Sequence, residues 1–250
     1  MFIIRIVILT FATLVTASSY AAKPVMIASG VERTSLVELY TSEGCSSCPP
    51  AEEWLTRLIE DKRLWKAWVP VAFHVDYWDQ LGWKDPYGSR DHSQRQRDYA
   101  ASWSQGRVYT PGFVVNGLEW PGWFSGEALP ESVKGSPGVL TVVIEGGLLE
   151  AQFEARAEHT KLVAHVALLG FDIVQPIAAG ENRGRTLTHD FVVLDHQTGA
   201  MKGAKNRFLA TIPIELPADA NNYAIAAWVT EPGVMRPVQA VGGWLSGVGR

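Results

Sequence analysis

Cys45 and Cys48 are the only cysteines in this 250-residue sequence, and they stand three positions apart in Thr41-Ser42-Glu43-Gly44-Cys45-Ser46-Ser47-Cys48-Pro49-Pro50. Such a pair can exchange disulfides, form a static bridge, or lend two thiolates to a metal ion. The chain around it selects among these. Pro49 and Pro50 lack a backbone N–H and suit a first helical turn, where N–H groups have no partner in the helix anyway. Trp54 with Leu58, and Leu55 with Ile59, give an i,i+4 apolar stripe just beyond. The apolar run 36–41 comes before as a strand, so the reading is strand, turn, helix. Cys45 falls just ahead of the helix, Cys48 lies on or beside its first turn, and Ser46 or Ser47 is available as a cap.

Unpaired N–H groups and the positive end of the helix dipole favour a thiolate, which makes Cys45 the expected nucleophile. Glu43, Glu52 and Glu53 oppose this, and no Lys, Arg or His lies between Thr34 and Thr56. Only a moderate lowering of the thiol pKa is expected. A static bridge closing so short a loop would add only about 2 kcal/mol by chain entropy, so redox exchange is the preferred use.

Residues 69–76 form a continuous, β-branched apolar run of the fully buried kind. His74 and Asp76 end it, at the sheet edge where the cysteines should emerge, and are candidates for proton transfer. A polar helix over 91–104 follows, opened by Ser89 or Asp91. Asn116-Gly117 between apolar runs signals a hairpin, and Pro111 must stand at a strand's first residue or on an edge.

This order of elements, with Cys-x-x-Cys-Pro at a helix start and Thr-Pro entering a hairpin, resembles the thioredoxin superfamily over residues 35–134. The resemblance implies that Cys45 attacks, that Cys48 resolves, and that Thr110-Pro111, with Pro111 cis, docks the substrate chain. More narrowly, residues 40–51 are similar to the signature of a family of exported bacterial proteins, the domain-of-unknown-function family 1223. That likeness covers the mature chain and implies a fold and a compartment but no substrate. The Ser46-Ser47 dipeptide, and Gly44 where the best-studied thioredoxins have Trp, leave potential and partner preference unassigned.

Residues 1–21 read as a secretory signal: Arg5, an apolar run of about ten residues, then Ser19-Tyr20-Ala21. The run is too short for a bilayer span of about 20 residues, so no stable membrane span is expected after cleavage. The mature chain is expected to be secreted or periplasmic, in an oxidising compartment. At 19% charged and 47% apolar residues the composition is that of a globular protein, and the net charge of −4 gives no footprint for nucleic acid. Ten tryptophans are present. Most read as core, while Trp78, Trp83, Trp120 and Trp123 could form a partner-binding cluster near the cysteines.

Gly135-Ser136-Pro137-Gly138 marks a boundary. Short strands follow at 139–144, 148–155, 161–170, 185–193, 208–215 and 223–229, which predicts an antiparallel sandwich over 139–245. In its unusual loop, 180–189, Arg183, Arg185 and His189 could gather an anion or a peptide carboxylate. The alternative there is a charged hairpin turn balanced by Glu181 and Asp190.

The expected fold is thus an α/β thioredoxin-like domain followed by an all-β antiparallel sandwich-like domain. The expected function is exported thiol-disulfide oxidoreductase, acting on protein or peptide disulfides with a further redox partner and no cofactor. One alternative is a copper or zinc site built from Cys45, Cys48 and His74. The other is a non-enzymatic binding module with a structural disulfide.

Overall fold

A computed structural model describes residues 24–103, 106–130, 134–217 and 222–245; the expected leader, 1–21, lies outside them. In chain order the first half holds β1 (Val25–Ala28), β2 (Ser35–Thr41), α1 (Pro49–Thr56), β3 (Trp68–His74), α2 (Arg90–Ser102), β4 (Gly112–Val115), β5 (Leu118–Glu119) and α3 (Gly122–Ser125). The second half holds β6 (Gly138–Glu145), β7 (Leu148–Ala155), β8 (Leu162–Gly170), β9 (Ile173–Pro176), β10 (Thr186–His189), β11 (Val192–Ala204), β12 (Arg207–Pro213), β13 (Tyr223–Thr230) and β14 (Gln239–Trp244).

β2 and β3 are buried at every position and pair in parallel, as continuous apolar runs do when both faces are covered. β4 joins the other edge of β2 antiparallel and turns into β5 through Asn116 and Gly117, with φ of 50° and 80°. Both central residues of this turn thus have positive φ, the hairpin condition that Asn-Gly meets.

The expected α/β domain followed by an all-β sandwich is not what forms. Twelve strands make one mixed sheet that runs across the expected boundary. An uncovered β3 edge would leave a row of backbone groups without partners. β11 fills it: Val192 pairs in parallel with Ala72, and the Ala72 N–H donates to the Phe191 carbonyl at 2.8 Å. β8, β13 and β14 then add antiparallel beyond β11. The far end of β11 pairs with β12, which leads through β7 and β6 to β1, the first strand of the chain pairing with the second half.

The two cores share strands in the same way. On β8, Ala167 and Leu169 belong to the core around β2, β3 and β4, while Val166 and Leu168 belong to the core beneath β6, β7 and β12. Trp228 and Val229 divide likewise on β13. Alternation along a strand sends neighbours to opposite faces, so one pair of strands closes both cores.

One local expectation changes, and of the two residues offered to open α2 one takes the role. Residues 185–193 form not one strand but the whole of β10 and the start of β11, broken at Asp190 and at Phe191, whose φ is 58°. Helix α2 is capped by Ser89, whose side chain accepts from the His92 N–H. Among the described residues no helix is long and apolar enough to cross a membrane.

Candidate functional site

The cysteine turn leaves the end of β2 and enters α1. Gly44 N–H donates to Ser42 Oγ at 3.1 Å, Cys45 N–H to the Ser42 carbonyl at 3.1 Å, and Cys48 N–H to the Cys45 carbonyl at 3.2 Å. Cys48 is itself the N-cap, without a side-chain cap bond, and neither serine takes that role. The unpaired N–H groups expected at this helix start are accounted for. Pro49 and Pro50 have none, and those of Ala51 and Glu52 donate to the Cys48 carbonyl at 2.9 and 3.1 Å. What the helix start still offers a thiolate is its dipole.

Cys45 and Cys48 are disulfide-bonded, with Cα atoms 5.5 Å apart, and both are fully buried. Cys45 Sγ lies 3.3 Å from Ser47 Oγ and 3.8 Å from the Thr110 carbonyl oxygen. The Thr110–Pro111 bond is cis. Trp78 Nε1 donates to Thr110 Oγ1 at 2.7 Å, and a Cβ on Gly44 would stand 2.8 Å from that of Trp78. Glycine here lets the 77–83 segment lie directly on the cysteine turn.

A second segment, 180–185, covers the turn from the other side. Asn182 is fully buried, and its Nδ2 donates to the carbonyls of Glu43 at 2.8 Å and Cys45 at 2.9 Å. Its Oδ1 accepts from Arg185 at 2.8 Å. Glu181 accepts from the Ser46 N–H and hydroxyl at 3.0 and 2.7 Å.

Beneath the turn lies a buried charged cluster. His189 Nε2 meets Glu43 Oε1 at 3.1 Å, and its Nδ1 meets Glu52 Oε2. Trp83 Nε1 donates to the other Glu43 oxygen at 2.6 Å, and the Thr41 hydroxyl donates to the other Glu52 oxygen. His74 Nδ1 faces Asp85 Oδ2 at 2.8 Å, and the His74 and His189 rings are 5.2 Å apart, edge to face.

Burial works against charge on His189, but its two glutamates outweigh burial and raise it to about 10. His74 is raised in the same sense, burial being overcome by Asp85 and then Glu52. Asp85, despite burial, is held down at about 2 by His74 and by backbone N–H donors. Of the three carboxylates expected to oppose a Cys45 thiolate, Glu43 and Glu52 are thus matched by the His189 imidazole, 137 residues beyond Glu52.

Cys45, Cys48, Thr110 and Pro111 come together, with the two cysteines buried and Thr110 and Pro111 half-buried beside them. His74 lies in the adjoining cluster, whereas Asp76 turns to α2, where Ser93 Oγ donates to it. Arg183 and Arg185 are exposed, and His189 points inward to carboxylates, away from them. Among the described residues the group of three donors suited to a metal is Glu52, His74 and His189, without the cysteines. Trp78 and Trp83 are hydrogen-bonded over the turn, while Trp120 and Trp123 pack with Phe113. Sequence reasoning missed Asn182 and Asp85 as parts of the site, and read Glu43 and Glu52 only as charges opposing the thiolate. For Asn182 the signal was the density of polar residues in 180–189.

The fold is similar to the crystal structure of protein AGR_C_4864 from Agrobacterium tumefaciens, at 24% identity and a TM-score of 0.60, covering 86% of this chain and 95% of that one. It is also similar to HBP35 of Porphyromonas gingivalis, at 16% identity and a TM-score of 0.59, covering 86% and 76%. At these identities the likeness extends to the fold alone. No curated protein matches the chain. The family model described as Protein of unknown function (DUF1223) matches residues 36–230, a span that holds the cysteine turn, the buried histidines and the 180–185 segment, and the chain belongs to that family.

Proposed function

We propose that this chain is an exported thiol-disulfide oxidoreductase of the secreted or periplasmic space, using Cys45 and Cys48 by the chemistry of the thioredoxin superfamily on protein or peptide substrates. In the reduced form the Cys45 thiolate attacks a substrate disulfide R–S–S–R′. The Cys45–S–R bond forms, and R′S⁻ leaves with the electron pair of the broken S–S bond. Cys48, once deprotonated, attacks the Cys45 sulfur and expels RS⁻. The pair ends oxidised and the substrate reduced by two electrons; run backwards, the same steps oxidise a dithiol.

The observation that carries this reading is the placement of the disulfide at the start of α1, with Cys45 Sγ 3.8 Å from the Thr110 carbonyl. There a substrate strand would find a backbone acceptor beside the sulfur it exchanges with. The leader at 1–21 supports export. A structural disulfide is the second reading, favoured by the full burial of both cysteines under Asn182 and Trp78.

One measurement separates the two. The Cys45/Cys48 pair is equilibrated in graded glutathione buffers, trapped by alkylation and read by mass spectrometry. Both redox states populated between about −120 and −270 mV is the result expected of a working oxidoreductase. A pair that stays oxidised below about −300 mV overturns the proposal and leaves a structural bridge.

A further inference from the structure

The cluster under the cysteine turn contains one atom that the redox reading does not use. His74 is buried on the last residue of β3, its Nδ1 is engaged by Asp85, and its Nε2 is buried without a hydrogen-bond partner. An orphaned nitrogen in a fully buried ring calls for an explanation, and an ion is one of the recognised ones.

His74 also belongs to a ready set of donors, and with Nδ1 engaged by Asp85 its Nε2 is the nitrogen left to offer. One ligand atom each from Glu52, His74 and His189 lie within 4.8 Å of one another, and all three residues are buried. They come from three regular elements, helix α1, strand β3 of the large sheet and β10 of the separate β9–β10 ribbon, and not from a loop. A tetrahedral zinc-type ion has bonds of about 2.0–2.2 Å to imidazole nitrogen and carboxylate oxygen. Those bond lengths place tetrahedral ligand atoms about 3.4 Å apart, so the His74 nitrogen would close in while the His189–Glu52 pair opens, the ion replacing their direct hydrogen bond.

The outer contacts are those that metal-binding histidines have. The remaining ring nitrogen of such a histidine almost always donates to a carboxylate, carbonyl or water, which fixes the tautomer and aims the other nitrogen at the ion. Here both histidines have a carboxylate in that place: Asp85 on Nδ1 of His74 at 2.8 Å, and Glu43 on Nε2 of His189 at 3.1 Å. The Thr41 hydroxyl orients the carboxylate of Glu52 through its other oxygen. Glu43, Glu52 and Asp85 are three carboxylates under one turn, a local excess of negative charge suited to a divalent cation.

We propose that Glu52, His74 and His189 form a binding site for a divalent transition-metal ion of the zinc class, with Glu43 and Asp85 as its outer carboxylates. Two imidazoles and one carboxylate leave a fourth position open, the ligand count of catalytic rather than closed structural zinc sites. The site shares no ligand with the disulfide and so does not depend on the redox reading. It lies one helical turn beyond Cys48 and would tie α1 to β3 and β10 beneath the cysteine turn.

The test uses the oxidised, chelator-treated full chain, titrated with ZnCl2 by calorimetry and with CoCl2 by visible absorption. Expected are one equivalent bound, ligand-field bands of a low-coordinate cobalt without a thiolate charge-transfer band, and the same result in the Cys45→Ser/Cys48→Ser variant. Glu52→Gln should abolish stoichiometric binding, and Asp85→Asn should weaken it about 10- to 100-fold. Zinc-edge X-ray absorption of the unmutated protein should show two imidazoles and no sulfur, a readout independent of whether any variant folds. Absence of a stoichiometric site in the unmutated chain overturns the proposal. So does binding that appears only after reduction with sulfur scatterers, which would mark a Cys45/Cys48 chelate.

Discussion

Asn182 offers the sharpest test of how the cysteine turn is held. Its amide nitrogen satisfies two carbonyls, and the two are not equivalent. The Cys45 carbonyl also accepts from Cys48 N–H at 3.2 Å, whereas Asn182 is the partner found for the Glu43 carbonyl. In Asn182→Ala the Glu43 carbonyl is left buried without a donor, at a cost of about 1–3 kcal/mol, and the Cys45 carbonyl loses one of two bonds, worth about 1 kcal/mol. The sum is about 2–4 kcal/mol, read as a lower urea midpoint at unchanged slope, or as a melting point about 5–15 °C lower.

Asn182→Asp separates hydrogen bonding from packing. It keeps the volume of the side chain, but a carboxylate cannot donate to either carbonyl and sets a third acceptor against them, so it should cost at least as much as alanine. Glu181 serves as the comparison. It binds Ser46 in an exposed position, so Glu181→Ala should stay within about 0.5 kcal/mol. Both Asn182 variants should also let a bulky thiol reductant reach the Cys45–Cys48 bond faster. If Asn182→Asp melts within about 0.5 kcal/mol of the unmutated chain, the donor argument is wrong and the segment is held by packing alone.

Elsewhere in the core, Arg95 Nε donates to buried Glu38 at 2.8 Å, and the hydroxyls of Tyr99 and Tyr40 donate to the same carboxylate. Arg95→Met should therefore cost about 3–5 kcal/mol, and Glu38→Gln added to it should recover part of that loss; a strictly additive double-mutant cycle would refute the coupling. On β8, burial first and then Arg95 push His165 from 6.5 down to about 3, while its Nε2 meets Thr230 and its ring stacks on His196 and Trp228. A histidine kept neutral in the fold contributes stability in full above 6.5, and that contribution falls away as the pH drops from 6.5 toward 3. At 1.36 kcal/mol per unit the upper limit is about 5 kcal/mol. His165→Gln should flatten the fall of stability over this window, measured by urea unfolding at several pH values; an unchanged slope would show that His165 does not titrate with unfolding.

Legibility in the sequence followed the range of the interactions. The strand–turn–helix at the cysteines, the Asn116-Gly117 hairpin and most second-half strands rest on neighbours within a few residues, and they stand within a residue or two of where they were read. α2 was placed, but not its docking, because its buried face has no apolar stripe. His92, Ser93, Arg95 and Gln96 bind the His74 carbonyl, Asp76, Glu38 and the Tyr109 carbonyl instead. The fold class failed at a single pairing. An apolar β3 announces that it is covered on both faces, but nothing in its pattern names β11, some 120 residues away, as the strand on its edge.

The same distance hid the site. Glu43 and Glu52 read as local charges hostile to a thiolate, because no cation lies near them in sequence. Their counter-ion is His189, brought there by the strand pairing that defeated the two-domain reading. β11 starts three residues after His189, and its Val192 is in register with Ala72, two residues before His74 at the end of β3. That register sets His189 against His74 and Glu52, and Asn182, in the loop leading into β10, against the carbonyls of the cysteine turn. A thiol pair flanked by acids in one half is thus completed by an imidazole and an amide from the other. Pairing across the middle of the chain therefore determines the chemistry of the turn as well as the shape of the sheet.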